Sequence, residues 1–599
     1  MQEHRTSFFD GLEADQLSEV LDQLEERRFP AGAVVLAEGD APRELYIVRS
    51  GFADIYLSDR SDGERHIGRV GPGASLGEVS LFTGQPVSAT VRAVEDLDVL
   101  AISEPEFHRI ADRFPRVYRN LGTILSERLV RSDRRSQQSR PTRVATLIDE
   151  GAPPLVGYAL ACSLAWHLRA PVALLVVTDG EPPEDLAALA SRSGDGVVPA
   201  GDGRARAHLA IIPRSGIEPH GGLAGLVDRL VARHEHVLVQ VPAGGPNGDL
   251  GGRTVFLSGA EGTGDGQIAR SGGRLHAWKA GTGPRPEPSG VLCVPDLIPA
   301  DVKRLQDGLL PPATAAGRAV GWLARDLAGL KVGLALGAGS FKGYAHIGVV
   351  DVLRRAGIPI DYIAGTSIGG AVAALYAAGY GTQASIHILD RIGASAFRPT
   401  VPIRSLMSSN GLRASVRRMT GERRIEDLPV PLSVVATDIA TQREVVFKRG
   451  LLWPALLASV SIPGIYPAQR MGRYILVDGG ICNPVPSNVA ADMGADVVIA
   501  VRLISRPIPR APELEAVEAA GKVPSVLQAI MRSIEVMQSK ISAETASAAT
   551  IVIEPLTADT PYGWGLRNFS EGKRYVAAGE AAAREALPRI ASALPWLRQ

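Results

Sequence analysis

Ile360-Asp361-Tyr362-Ile363-Ala364-Gly365-Thr366-Ser367-Ile368-Gly369 carries an apolar strand into a serine bracketed by glycines, and the alanine-rich run to Ala378 continues as a helix. A strand-to-helix turn this sharp admits only small residues beside its serine. The serine then sits at a helix N-terminus, where the dipole and unpaired N–H groups favour developing negative charge. A GxSxG string also arises by chance in a chain with 65 glycines. Ser367 reads alternatively as the N-cap of a tight turn. Working outward, strand Val332–Leu336 runs into Gly337-Ala338-Gly339-Ser340-Phe341-Lys342-Gly343 and a helix to about Ala356. Downstream strands are expected at Leu432–Thr437, Arg473–Val477, Val497–Val501 and Thr550–Ile553. Strands alternating with helices make residues 329–599 an α/β domain.

A nucleophilic serine needs a base, which in α/β-hydrolases is a histidine late in the chain. No histidine follows His387, and His387 has no acid placed to orient it. Asp478, in Val477-Asp478-Gly479-Gly480, is the candidate, placed by this reading at the carboxyl edge of the sheet. A carboxylate within about 2.6–3.2 Å of the hydroxyl can take its proton directly. An isolated Asp-Gly-Gly otherwise only shapes a turn. The Gly337–Gly343 loop points successive N–H groups at an anion, an oxyanion or a nucleotide phosphate. Lys342 in it reads as a solvated surface lysine.

The rest of the chain reads differently. Residues 28–102 hold short alternating runs, Ala33–Leu36, Leu45–Val48 and Phe52–Leu57 among them, punctuated by glycines, as in a closed β-roll or barrel. Helices follow near Glu104–Phe114 and Val117–Arg134, and polar, basic Arg131–Arg143 reads as a linker. The unit is assigned to residues 1–135. Residues 136–328 comprise that linker and a middle α/β domain with strands Val172–Val177, His208–Ile212 and His236–Val241. Glycine-rich Gly244–Gly252 and Gly259–Gly266 read as loops, and no P-loop occurs.

At 599 residues the chain exceeds one hydrophobic core. Lys+Arg and Asp+Glu both count 64, which gives no support to nucleic-acid binding. Cys162, Cys293 and Cys482 form no CxxC pair, arguing against disulfides or zinc and for a reducing cytoplasm. No metal ligand set or cofactor motif is found. The apolar stretch Pro153–Val177 is broken by His167, Arg169 and Pro171, short of the about 20 residues a spanning helix needs.

The three C-terminal motifs, in this order, resemble the patatin-like phospholipase family over Lys331 to Pro595. Asp478-Gly-Gly-Ile-Cys-Asn-Pro-Val-Pro486 is similar to its bacterial and neuropathy-target-esterase branch. The resemblance implies a Ser367–Asp478 dyad and an oxyanion loop over Gly337, Ala338, Gly339 and Ser340. Its motif positions are Lys342, Gly343, Gly365, Gly369, Gly479 and Gly480, and it needs no cofactor. It implies acyl-ester hydrolysis of phospholipids or lysophospholipids through an acyl-enzyme, with contact at the inner membrane face and room for homo-oligomers. The alternative is an inactive patatin scaffold serving as an interaction protein. Arg404–Arg418, with Leu406, Met407 and Leu412, is a candidate border of the lipid entrance.

Residues from about Phe8 to Leu129 resemble a cyclic-nucleotide-binding domain, whose cassette is matched by Gly77-Glu78-Val79-Ser80-Leu81 and Ser88-Ala89-Thr90-Val91. Gly77, Glu78, Ser88 and Ala89 would line the pocket. Val87 stands where the cassette carries its phosphate-binding arginine, so tight binding of a cyclic nucleotide is not expected.

Overall fold

The computed structural model describes residues 9, 14–21, 24–41, 44–59, 63–71, 74–78, 80, 86–114, 116–118, 120–121, 143–150, 155–192, 197–199, 206–218, 222–243, 253–258, 275–279, 291–294, 297–308, 310, 314–396, 399–401, 405–504, 526–556 and 572–597. Most of the expected linker Arg131–Arg143, and of the expected glycine loops Gly244–Gly252 and Gly259–Gly266, lies outside them. The chain divides into two compact units, Met1–Gln138 and Ser139–Gln599.

Among the described residues the first unit holds two antiparallel four-stranded sheets. One has β1 (Glu25–Phe29), β8 (Leu97–Ser103), β3 (Glu44–Ser50) and β6 (Ser75–Leu76) side by side; the other has β2 (Val34–Leu36), β7 (Thr90–Ala93), β4 (Ala53–Asp59) and β5 (Gly63–Val70). Side chains alternate across a strand, so β3 and β8 each serve two cores. Leu45, Ile47, Leu100 and Ile102 pack with Phe107 and Ile110 of the Glu104–Arg113 helix. Tyr46, Val48, Val99 and Ala101 meet Val91 of the second sheet. Burial on both faces is why Leu45–Val48 and Val99–Ile102 read as unbroken apolar runs.

Among the described residues the second unit contains two larger sheets. The order in the first is β11 (Val197–Pro199), β12 (Arg206–Pro213), β10 (Val172–Thr178), β13 (His236–Pro242), β9 (Val144–Glu150), β14 (Arg253–Ser258), β15 (Leu275–Lys279) and β16 (Val291–Val294). Every pairing in it is parallel except β11 with β12.

The Ala315–Ala328 helix joins this sheet to the next. Its Arg325 makes a buried bidentate pair with Asp361, at 3.0 and 2.6 Å. Asp361 also accepts the N–H of Val332 at 2.8 Å, which fixes the start of the following strand.

The last sheet runs β21 (Gln469–Met471), β22 (Tyr474–Asp478), β19 (Leu432–Asp438), β18 (Tyr362–Thr366), β17 (Val332–Leu336), β23 (Val497–Val501) and β24 (Ile551–Ile553), with β20 (Arg443–Phe447) also on β19. β19, β18, β17, β23 and β24 are parallel. Both faces are covered: Val332, Leu334 and Leu336 face one core and Ala335 the other. β22 runs antiparallel to β19, unlike the parallel strand whose carboxyl edge was expected to carry Asp478. Register explains how it still reaches the site. Thr366 pairs with Val435, and the next residue, Ala436, pairs with Asp478, so Asp478 is level with the residue after Thr366. Among the described residues no helix is long and apolar enough to cross a membrane.

Candidate active site

Ser367 follows β18 and caps the Ile368–Ala377 helix with φ +56° and ψ −127°. A non-glycine residue with positive φ costs of order 1–3 kcal/mol and persists only where its surroundings impose it. The surroundings here are glycines at close quarters. A Cβ on Gly365 would sit 2.5 Å from the carbonyl oxygen of Gly369, and one on Gly369 would sit 2.1 Å from that of Leu336. The Ser367 N–H donates to Ser459 Oγ at 2.9 Å, and Ser459 Oγ donates to the Val435 carbonyl at 2.6 Å. Thr366 Oγ1 donates to the Asn483 carbonyl at 2.9 Å. The elbow is thus held from the strand beside it and from the chain beyond Asp478.

Ser367 Oγ donates to Asp478 Oδ2 at 2.5 Å, and the side chains are 6% and 2% exposed. Asp478 Oδ1 accepts the N–H of Gly480 at 2.8 Å. Burial pushes the Asp478 carboxyl up to about 6, against the opposing pull of the hydrogen bonds from Ser367 and Gly480. Gly479 packs against the Val435 carbonyl, where a Cβ would have no room. His387 lies exposed on the Thr382–Ala396 helix, whereas Ser367 and Asp478 are buried.

The glycine loop after β17 turns towards Ser367, but its four expected donors are not equivalent. The N–H of Gly337 donates to the Val501 carbonyl at 3.0 Å and that of Ala338 to the Pro484 carbonyl at 2.8 Å. Among the described residues no acceptor takes the N–H groups of Gly339 and Ser340, whereas those of Gly337 and Ala338 are spent. Ser340 has φ +52° and opens a 3-10 turn, Ser340–Gly343. Gly343 lies against Ile368, the residue after the serine. His346 is fully buried and donates from Nε2 to the Gly337 carbonyl at 2.7 Å. Burial pushes its imidazole down to about 4, so it is neutral at pH 7. Neither His346 nor Ser459 was singled out from the sequence; a serine or histidine within an apolar helix gives no local sign of a distant backbone partner.

Lys342 is not the solvated lysine expected. It is 8% exposed and its Nζ donates to Glu535 Oε1 at 2.6 Å. Burial lowers its pKa, and the Glu535 carboxylate opposes that shift. Glu535 belongs to the Val526–Thr545 helix, which covers the site and also pairs Arg532 with Glu535 at 2.9 Å. A cleft of about 720 Å³, the space open to solvent at its mouth included, lies between this helix and the serine. Its apolar walls include Phe341, Ile462, Pro463, Ile504, Met531 and Ile534, and Ser367 and Asp478 face into it. Leu412 is buried in the domain core and Leu406 and Met407 pack against it; the lining of this cleft includes none of the three. Among the described residues no cluster of His, Cys, Asp and Glu is arranged to hold a metal.

In the first unit, Gly77 has φ +79°, Glu78 and Val87 are buried, Ala89 is half-buried and Ser88 is exposed. Arg92, the nearest later arginine, lies over the Tyr56 ring at 5.3 Å on the strand face opposite Val91.

Residues 334–491 match the family model of patatin-like phospholipases, and residues 26–114 that of cyclic nucleotide-binding domains. An uncharacterised NTE family protein of Mycobacterium tuberculosis is 26% identical over 96% of this chain and 94% of its own length. Patatin-like phospholipase domain-containing protein 6 of Homo sapiens is 28% identical over 79% of this chain, but only 37% of that longer protein is matched. Among solved structures, a catabolite activator protein of Thermus thermophilus aligns at 22% identity over 33% of this chain and 76% of that chain, with a TM-score of 0.23.

Proposed function

We propose that this chain, which carries a patatin-like phospholipase domain of the NTE branch and an N-terminal cyclic nucleotide-binding domain, is a serine hydrolase of phospholipid or lysophospholipid acyl esters. The observation that carries the reading is the 2.5 Å hydrogen bond from Ser367 Oγ to the buried carboxylate of Asp478.

In this mechanism Asp478 takes the Ser367 proton as Oγ attacks the acyl carbonyl. The carbonyl oxygen gains negative charge and is met by the N–H groups of Gly339 and Ser340. Collapse expels the alcohol, the glycerol-bearing part of the lipid, which takes the proton back from Asp478. Water, deprotonated by Asp478, then attacks the acyl-enzyme and releases a fatty acid. A base near 6 suits both steps at neutral pH: it is ionised in the resting enzyme yet basic enough to accept a proton. The apolar cleft walls match an acyl chain in chemistry.

The test is fatty-acid release from lysophosphatidylcholine micelles by wild type and Ser367→Ala. The reading expects release by wild type only; equal release by both would remove it.

A further inference from the structure

The Val526–Thr545 helix reaches the site from far along the chain and touches two of its working segments. Glu535 bonds Lys342 in the 3-10 turn that begins with the oxyanion donor Ser340. Gln538 lies against the Asp478 turn: a Cβ on Gly480 would be 2.3 Å from Gln538 Nε2. Met531 and Ile534 of the same helix form the cleft wall. Lys342 and Glu535 are both buried, at 8% and 7% exposure. A buried ion pair is weak evidence of stabilisation, because desolvation offsets the attraction; its best-supported use is to fix one geometry among several.

We infer that Glu535 is a positioning residue for ester hydrolysis, which holds the oxyanion turn in its working geometry through Lys342. The covering helix is thereby a part of the catalytic site and more than a wall of the cleft. Lys342 lies two residues after Ser340 in a four-residue turn, so drawing its ammonium towards Glu535 sets the orientation of the peptide groups that face Ser367. Among the described residues Gly339 and Ser340 have no acceptor of their own, so no bond of theirs fixes where these N–H groups point. This inference rests on the Ser367–Asp478 reading above.

The experiment uses the full chain and a soluble ester, p-nitrophenyl butyrate, so that lipid packing plays no part. Glu535→Gln and Lys342→Met are each expected to lower kcat by about 100-fold with KM unchanged, the scale of a roughly 1 Å misplacement of a reacting group. Fluorophosphonate labelling of Ser367 slows in parallel. Lys342→Arg keeps charge and donor and is expected to retain activity. Because Glu535→Gln strands the buried Lys342 ammonium, and Lys342→Met leaves Glu535 with Arg532 as its charged partner, both changes lower the thermal midpoint, and the apolar double variant Lys342→Met with Glu535→Leu is measured beside them. It is expected to regain the midpoint but not kcat. Recovery of kcat along with the midpoint, or wild-type kcat in Glu535→Gln, would overturn the inference. If wild type and Ser367→Ala hydrolyse the ester equally, the catalytic reading itself has failed, a different outcome.

Discussion

Asp478→Asn should inactivate the enzyme and yet stabilise its fold, and the size of that gain follows from the buried carboxylate. The substituted asparagine would keep both contacts in altered form: its carbonyl accepts the Gly480 N–H, and its amide donates to Ser367 Oγ. What it removes is the ionised state. The carboxyl is raised from 3.8 to about 6 on folding, chiefly by burial. The folded state therefore binds this proton more tightly than the unfolded state, and stability from this group is greatest below 3.8. It declines as pH rises from 3.8 to 6 and levels off above. About two pKa units at roughly 1.36 kcal/mol each make the ionised form about 3 kcal/mol costly above pH 7. Urea unfolding of Asp478→Asn and wild type at several pH values reads this directly. The variant should gain about 3 kcal/mol at pH 8, progressively less between pH 6 and 4, and nothing below. An Asn variant that is no more stable than wild type at pH 8, or whose difference does not vary with pH, would refute the claim that Asp478 is a desolvated base.

Three further outcomes follow from the same geometry. The kcat/KM for a soluble ester should be half-maximal near pH 6, where Asp478 ionises, and rise to a plateau without a histidine-like second limb below pH 8. Ser459→Ala removes the acceptor of the Ser367 N–H and should lower kcat about 100-fold at little change in KM, as the positive-φ elbow relaxes. Millimolar cAMP or cGMP should leave the thermal midpoint of wild type unchanged, and Val87→Arg should create a response, both read by differential scanning fluorimetry.

The motifs around Ser367 and Asp478 were legible because strand, turn and helix are written within a few residues of each. Val332–Leu336 and Val497–Val501 emerge as read, since buried parallel strands are short unbroken apolar runs. The short glycine-punctuated runs Ala33–Leu36, Leu45–Val48 and Phe52–Leu57 fall on β2, β3 and β4 and likewise marked the N-terminal roll. What escaped was non-local. The antiparallel course of β22 depends on pairing with β19, which leaves no mark on Tyr474–Val477 itself. Lys342 looked solvated because its partner, Glu535, lies on a helix 193 residues away. The division of the Gly337–Gly343 loop into spent and available N–H groups depends on carbonyls at Pro484 and Val501, which only the assembled sheet edge brings close. His346 and Ser459 belong to the same class: their roles are hydrogen bonds to distant backbone.

A nucleophilic Ser367 worked by Asp478 alone is read by intact-protein and peptide mass spectrometry after a fluorophosphonate probe. One adduct is expected, on Ser367, formed by wild type and lost in Asp478→Asn, with no loss in His387→Ala. Labelling elsewhere, or undiminished labelling of Ser367 in Asp478→Asn, would contradict it.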